Sequence, residues 1–100
     1  MHDHTYYVYI LTNTVRTVLY IGVTNNLQRR LVEHQKNSVY WSFTRKYRCF
    51  FLVYYEIYKY VNDAIAREKE LKRWSRAKKV ALVELENKAW RFLNEEILED

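Results

Sequence analysis

Two apolar runs, Thr5-Tyr6-Tyr7-Val8-Tyr9-Ile10-Leu11 and Val18-Leu19-Tyr20-Ile21-Gly22-Val23, stand on either side of a short polar segment. Both are rich in Tyr, Val and Ile, side chains that suit a pleated, half-buried surface. Between them, Thr12-Asn13-Thr14-Val15-Arg16-Thr17 has the composition of a hairpin connection. The chain has no Pro and one Gly, so its loops must be short or built on Asn, Thr and Ser.

Working outward, Thr24-Asn25-Asn26 offers helix N-caps to Leu27–Gln35, where Leu27 and Leu31 lie one turn apart. Asn37 to Arg48 is polar, basic and aromatic, a loop or a short helix. Phe50 to Tyr58 reads as a third strand, and its near-continuous apolar run predicts burial on both faces. Asn62 and Asp63 can cap a second helix running to about Trp74. Ser75 can cap a third, with Ala77, Val80, Ala81, Val83 and Leu85 as its apolar residues, and Ala89 to Leu98 reads as helical. The order β-β-α-β-α-α predicts an α+β fold, a three-stranded antiparallel sheet flanked by helices. One domain over residues 1–100 is expected, with a core of about 5–93 and an acidic C-terminal tail, 94–100.

Bulk composition narrows the function classes. A hydrophobic fraction of 49%, with 17% aromatic, excludes a disordered chain. No apolar run reaches the length of a membrane span, and Met1-His2-Asp3-His4 lacks a signal-peptide layout. Cys49 is the only cysteine, so no internal disulfide is possible, a CxxC zinc site is unlike this chain, and a cytoplasmic location is expected. Residues 84–100 hold six acids against Lys88 and Arg91, while the other 83 residues hold 15 basic and 6 acidic side chains, a net of +9. A basic body predicts a polyanionic partner bound in a salt-dependent way.

Two charged residues break the helical pattern. Glu68 lies four after Ala64, three after Ile65 and three before Leu71, in the middle of an apolar stripe, whereas Glu70 points to the solvated face. A carboxylate turned toward a core must be paired, protonated or metal-bound, since desolvating it alone costs several kcal/mol or more. Arg30 lies three residues after Leu27 and beside Leu31, with His34 one turn further on the same side. It either snorkels at the edge of its stripe or aims a guanidinium fork at a phosphate. The ten tyrosines are a third oddity: Tyr7 and Tyr9 share a strand face, and Tyr20 lies two residues before Gly22 on the partner strand. Gly22 could supply an unusual backbone angle or admit close approach of a ligand.

Taken together, these residues resemble the GIY-YIG (URI-type) endonuclease family, in its small stand-alone branch. Tyr7-Val8-Tyr9 stands for the first triplet and Tyr20-Ile21-Gly22 is a literal second one. Arg30 follows within Asn26-Leu27-Gln28-Arg29-Arg30-Leu31-Val32-Glu33-His34, and Ala66-Arg67-Glu68-Lys69-Glu70-Leu71-Lys72 is similar to the family's glutamate-bearing helix. Ala77 to Glu84, continuing through Asn87 to Trp90, looks like the closing motif. The resemblance spans roughly residues 6–93. Two departures stand out: Tyr7 replaces the first triplet's glycine, and Lys88 follows Asn87 where proline is usual.

The resemblance implies a Mg²⁺- or Mn²⁺-dependent endonuclease that hydrolyses DNA phosphodiesters, like homing endonucleases, some restriction enzymes and excision-repair incision proteins. It maps catalytic roles onto Tyr9, Tyr20, Arg30, His34, Glu68 and Asn87, with Glu68 as the metal ligand. A single carboxylate argues for one metal ion that keeps most of its waters. Arg30 would hold phosphate oxygens, and Tyr9, or Tyr20 beside it, would orient or deprotonate the attacking water. Arg45, Lys46, Arg48, Lys69, Lys72, Arg73, Arg76, Lys78 and Lys79 are the expected contacts to DNA, which could be branched or single-stranded. Tyr40, Trp41 and Phe43 could stack on unpaired bases. A catalytically silent nucleic-acid-binding module on the same fold is the alternative.

Overall fold

The computed structural model describes residues 4–36 and 46–99. Strands β1 (Tyr6–Thr12), β2 (Leu19–Thr24) and β3 (Phe51–Tyr58) form one antiparallel sheet in the order β2-β1-β3. Helices α1 (Leu27–Gln35), α2 (Val61–Arg73), α3 (Arg76–Glu86) and α4 (Asn94–Leu98) flank it. This is the α+β, three-stranded architecture that the sequence pattern predicts.

The central strand divides the core. Val8 to Thr12 are all fully buried, and alternation sends neighbouring side chains to opposite layers. Val8 and Ile10 join Ile21 and Val53 under Ala64 and Leu71 of α2 and Val83 of α3. Tyr9 and Leu11 join Leu52 and Cys49 under Leu27 and Leu31 of α1. Each such aliphatic side chain contributes about 1.5–3 kcal/mol on burial. The sheet is thus covered on both sides, and the functional side chains must come from the seam between layers or from the sheet's edges.

Local chemistry explains the element ends. Asn13 builds the hairpin turn: its side-chain oxygen accepts from the N–H groups of Thr17 (2.8 Å) and Val18 (3.2 Å). Asn26 caps α1 by accepting from Arg29 N–H, and Ser75 caps α3 by accepting from Lys78 N–H. At α2 the expected cap is displaced. The N-cap is Tyr60, with no side-chain cap bond, and Asp63 falls inside the first turn, where its charge favours the helix dipole.

Two expectations change. β3 is buried on both faces only through Leu52, Val53 and Tyr54, whereas Ile57 is 62% exposed. A register shift opposite Ile10 and Leu11 makes Val53 the extra residue of a bulge, so Val53 and Tyr54 both enter the α2–α3 layer. The closing segment is helical only over Asn94–Leu98; before it the chain turns, with Trp90 at a φ of 56°. The acidic C-terminal segment folds back on the body. Leu93 N–H donates to Leu52 carbonyl (2.7 Å), Asn94 clamps Phe50 and Leu52, and Leu93 and Ile97 pack on the α1 layer.

Candidate active site

Tyr9 and Gly22 are direct partners across β1 and β2. A methyl group at Gly22 would lie 2.5 Å from the Tyr9 ring and hydroxyl, so the glycine exists to let this ring cross the neighbouring strand. Its φ is not positive, and the close approach is made by a side chain of the same protein rather than by a ligand. The consequence is a phenol held flat on the sheet, fully buried, with its hydroxyl directed to α1.

There it meets His34. The Tyr9 hydroxyl lies 2.9 Å from His34 Nε2, and the imidazole stands edge-on to both Tyr9 and Tyr20, with ring centres 5.8 and 5.4 Å away. Burial, assisted by the Arg30 charge, lowers the His34 pKa to about 4, so the ring is neutral at physiological pH. Arg30 also acts on Tyr9 through its charge and a hydrogen bond. His34 is therefore a neutral ring inside the protein, its Nε2 paired with the Tyr9 hydroxyl.

Arg30 and Glu68 converge on the two tyrosines from opposite layers. Arg30 comes from α1, its side chain 21% exposed, with Nε 3.2 Å from Glu33. Glu68 comes from α2, its side chain 15% exposed, with Oε2 3.0 Å from Lys72 Nζ. Both charges reach both hydroxyls: Arg30 lowers and Glu68 raises the pKa of Tyr9 and of Tyr20. Desolvation is the largest influence and leaves both phenols above their ordinary value, Tyr9 far above it. Tyr20, half-buried on edge strand β2, is the tyrosine with access to solvent. No group of three or more His, Cys, Asp or Glu capable of holding a metal exists among the described residues.

The family profile described as the GIY-YIG catalytic domain matches residues 5–81. The chain belongs to the GIY-YIG family. It is 41% identical over 81 residues to a UPF0213 protein of Natronomonas pharaonis, covering 81% of this chain and 91% of that one. It is 36% identical over 77 residues to a UPF0213 protein of Syntrophus aciditrophicus, covering 77% and 87%. The solution NMR structure of UPF0213 protein BH0048 from Bacillus halodurans is 33% identical, covers 86% of this chain and 89% of that one, and superposes with a TM-score of 0.56. GIY-YIG domains form a nuclease family whose members generally use divalent metals, and nucleic acid is the substrate the domain implies.

Not every expected site residue of this GIY-YIG domain joins the cluster. Asn87 lies on the far side of the sheet, beyond β3, and its amide is consumed by structure. Nδ2 donates to the carbonyls of Val53 (2.9 Å) and Arg91 (2.8 Å), and Oδ1 accepts from Arg91 N–H (2.9 Å). It satisfies the bulge in β3 and shapes the turn before α4. Among the basic residues, Lys46, Arg48, Lys69, Arg73, Arg76 and Lys78 are exposed and Lys79 is half-buried. Lys78 lies 4.4 Å over the Trp74 ring, and Arg76 donates to the Arg16 carbonyl. Arg45, with Tyr40, Trp41 and Phe43, lies outside the described residues.

The sequence pattern missed a second polar cluster. Arg67 forks onto Glu56 (3.0 Å) and onto Glu70 (2.8 Å), and the Tyr54 and Tyr58 hydroxyls donate to the same Glu56 carboxylate. Burial alone would raise the Glu56 pKa, but these donors outweigh it and hold the carboxyl below its usual value. Tyr58 is pushed up to about 12, by burial first and by Glu56 second. The missed signal was weak: Glu56 interrupts an apolar strand, and its partners come from β3 itself and from α2. Two concavities of about 590 and 580 Å³ flank β3, one at His4 and Ile57–Val61, the other between β3 and Glu86–Glu96. Neither includes the tyrosine cluster. No helix among the described residues is long and apolar enough to cross a membrane.

Proposed function

We propose that this protein is a Mg²⁺- or Mn²⁺-dependent endonuclease that hydrolyses DNA phosphodiesters at the Tyr9–Tyr20–Arg30–Glu68 cluster. The observation that carries the reading is that Tyr9 and Tyr20 lie side by side at the Gly22 crossing, ring centres 6.3 Å apart, with Arg30 of α1 and Glu68 of α2 both close enough for their charges to act on the two hydroxyls. Glu68 fits a single hard cation: it is a mostly buried oxygen donor whose partner, Lys72, sits on an exposed, flexible stem. Held there, the ion would supply positive charge against the transition-state phosphate and favour ionisation of a neighbouring water.

The protein's own groups account for the rest. Arg30 donates to non-bridging phosphate oxygens and orients the phosphodiester for in-line attack. Tyr20, the more accessible phenol, positions the attacking water and takes its proton. Its raised pKa keeps it a neutral phenol, so it can take the water's proton only after giving its own to solvent, a loss that added positive charge from a bound cation would favour. Tyr9, pinned by Gly22 and His34, anchors Arg30 and is the positioning partner. The water oxygen bonds to phosphorus, the bond to the 3′ oxygen breaks, and the leaving oxygen is protonated from solvent. The exposed bases of α2 and α3 supply the salt-sensitive grip on the backbone. A cytoplasmic setting and a part in DNA repair or recombination fit this chemistry.

The deep burial of the Tyr9 hydroxyl favours one second reading, a silent nucleic-acid-binding module on the same fold. Incubating plasmid, branched and single-stranded DNA with pure protein in Mg²⁺, Mn²⁺ or chelator separates the two. Cleavage in metal and none in chelator is expected; binding without cleavage under every metal supports the silent module.

A further inference from the structure

Lys72 is placed by sequence among the DNA contacts, yet its ammonium lies 3.0 Å from Glu68 Oε2, one helical turn away on α2. Among the charges acting on Tyr20 it ranks first, ahead of Arg30 and Glu68. So the proposed cation ligand is already paired with a cation, whose charge also acts on the half-buried Tyr20. Its side chain is 53% exposed while that of Glu68 is 15% exposed, so the lysine can leave and the carboxylate cannot follow.

We propose that Lys72 is a built-in competitor for the divalent ion, occupying Glu68 until metal displaces it and then turning its ammonium to the substrate phosphate. The inference rests on the reading of Glu68 as the metal ligand. Physically, a buried-side carboxylate left bare carries a desolvation penalty, and a mobile ammonium offsets it in the resting protein. A divalent ion brings twice the charge at the same oxygen, and like-charge repulsion then drives Lys72 outward. A phosphate at the site pulls Lys72 in the same direction. Substrate and metal therefore strengthen each other's binding through one side chain, as linkage demands in both directions. Lys72 is in these terms a positioning residue in the resting state and a substrate contact in the loaded one.

The test reads metal binding directly, without turnover. Mn²⁺ affinity is measured by electron paramagnetic resonance on the free protein, for wild type, Lys72→Met, Lys72→Arg, Glu68→Gln and the Lys72→Met/Glu68→Gln pair. Met keeps the aliphatic stem, and circular dichroism checks that each variant is folded. Lys72→Met should bind Mn²⁺ roughly two- to fivefold more tightly, the range for removing a partly exposed ion pair. Lys72→Arg should stay near wild type, and the gain should vanish in the Glu68→Gln background. Unchanged or weaker binding by Lys72→Met, with Glu68→Gln still abolishing the site, overturns the competitor role and leaves the metal assignment standing. Equal Mn²⁺ binding by wild type and Glu68→Gln overturns the metal assignment itself, and this inference with it.

Discussion

The protein carries two clusters of the same residue types, tyrosines with one arginine and one carboxylate, and they are built in opposite ways. Around Glu56 the acceptor is saturated: Arg67, Tyr54 and Tyr58 all donate to it, and Arg67 is further fixed by Glu70 and by the Trp74 ring 5.0 Å away. Around Tyr9 and Tyr20 the arginine and the carboxylate pair with different partners, Glu33 and Lys72, both on exposed side chains, while both charges act on the two tyrosines. A closed network stabilises a fold, since breaking a satisfied buried pair leaves an uncompensated charge. In the second cluster Glu68 is held by one exposed lysine that a ligand can displace, which is why Glu68, not Glu56, is the functional candidate.

Substitutions that sort the clusters sharpen this contrast. Glu68→Ala should lower DNA cleavage about 10³-fold or more in single-turnover assays while leaving the melting temperature near wild type. Comparable cleavage by that variant would collapse the distinction. Glu56→Ala should do the reverse by removing the hub of the closed network. It should cost about 2–4 kcal/mol in urea denaturation, with activity retained in the folded fraction.

Acidification acts on the second cluster through His34. Its folded pKa of about 4 lies below the usual 6.5, so the unfolded chain binds the extra proton. The stabilisation is complete above about pH 6.5 and is lost as pH falls toward 4, about 3 kcal/mol in all. His34→Gln should flatten that slope, measured as unfolding free energy against pH. Gly22→Ala is expected to cost about 1–3 kcal/mol and to displace the Tyr9 ring, visible as a changed His34 titration by NMR. The smallest effect belongs to exposed bases such as Lys69, whose replacement by Gln should lower the salt slope of DNA binding by about 1 and leave cleavage of bound DNA unchanged.

The fold was readable because its strands and helices carry their signals locally. The hairpin runs, the Asn26 and Ser75 caps and the polar break at Glu68 each depend on a few neighbouring residues. The tyrosines, arginine and glutamate proposed for the site carry their signal in motif and stripe together. What escaped depends on contacts distant in sequence. Gly22 answers to Tyr9 across the sheet, Asn87 answers to a bulge carbonyl at Val53, and residues 93–97 answer to β3 and α1. The Glu68–Lys72 pair was within reach, as residues four apart on a helix are neighbours. A basic-patch reading hid it.

The most direct measurement compares Glu68→Gln with Glu56→Gln, following nicking of supercoiled plasmid in Mg²⁺ alongside thermal unfolding of the same samples. The first should stop cutting and keep its melting temperature; the second should melt earlier and cut while folded. Nicking by Glu68→Gln at the wild-type rate would contradict the assignment of this cluster as the catalytic centre.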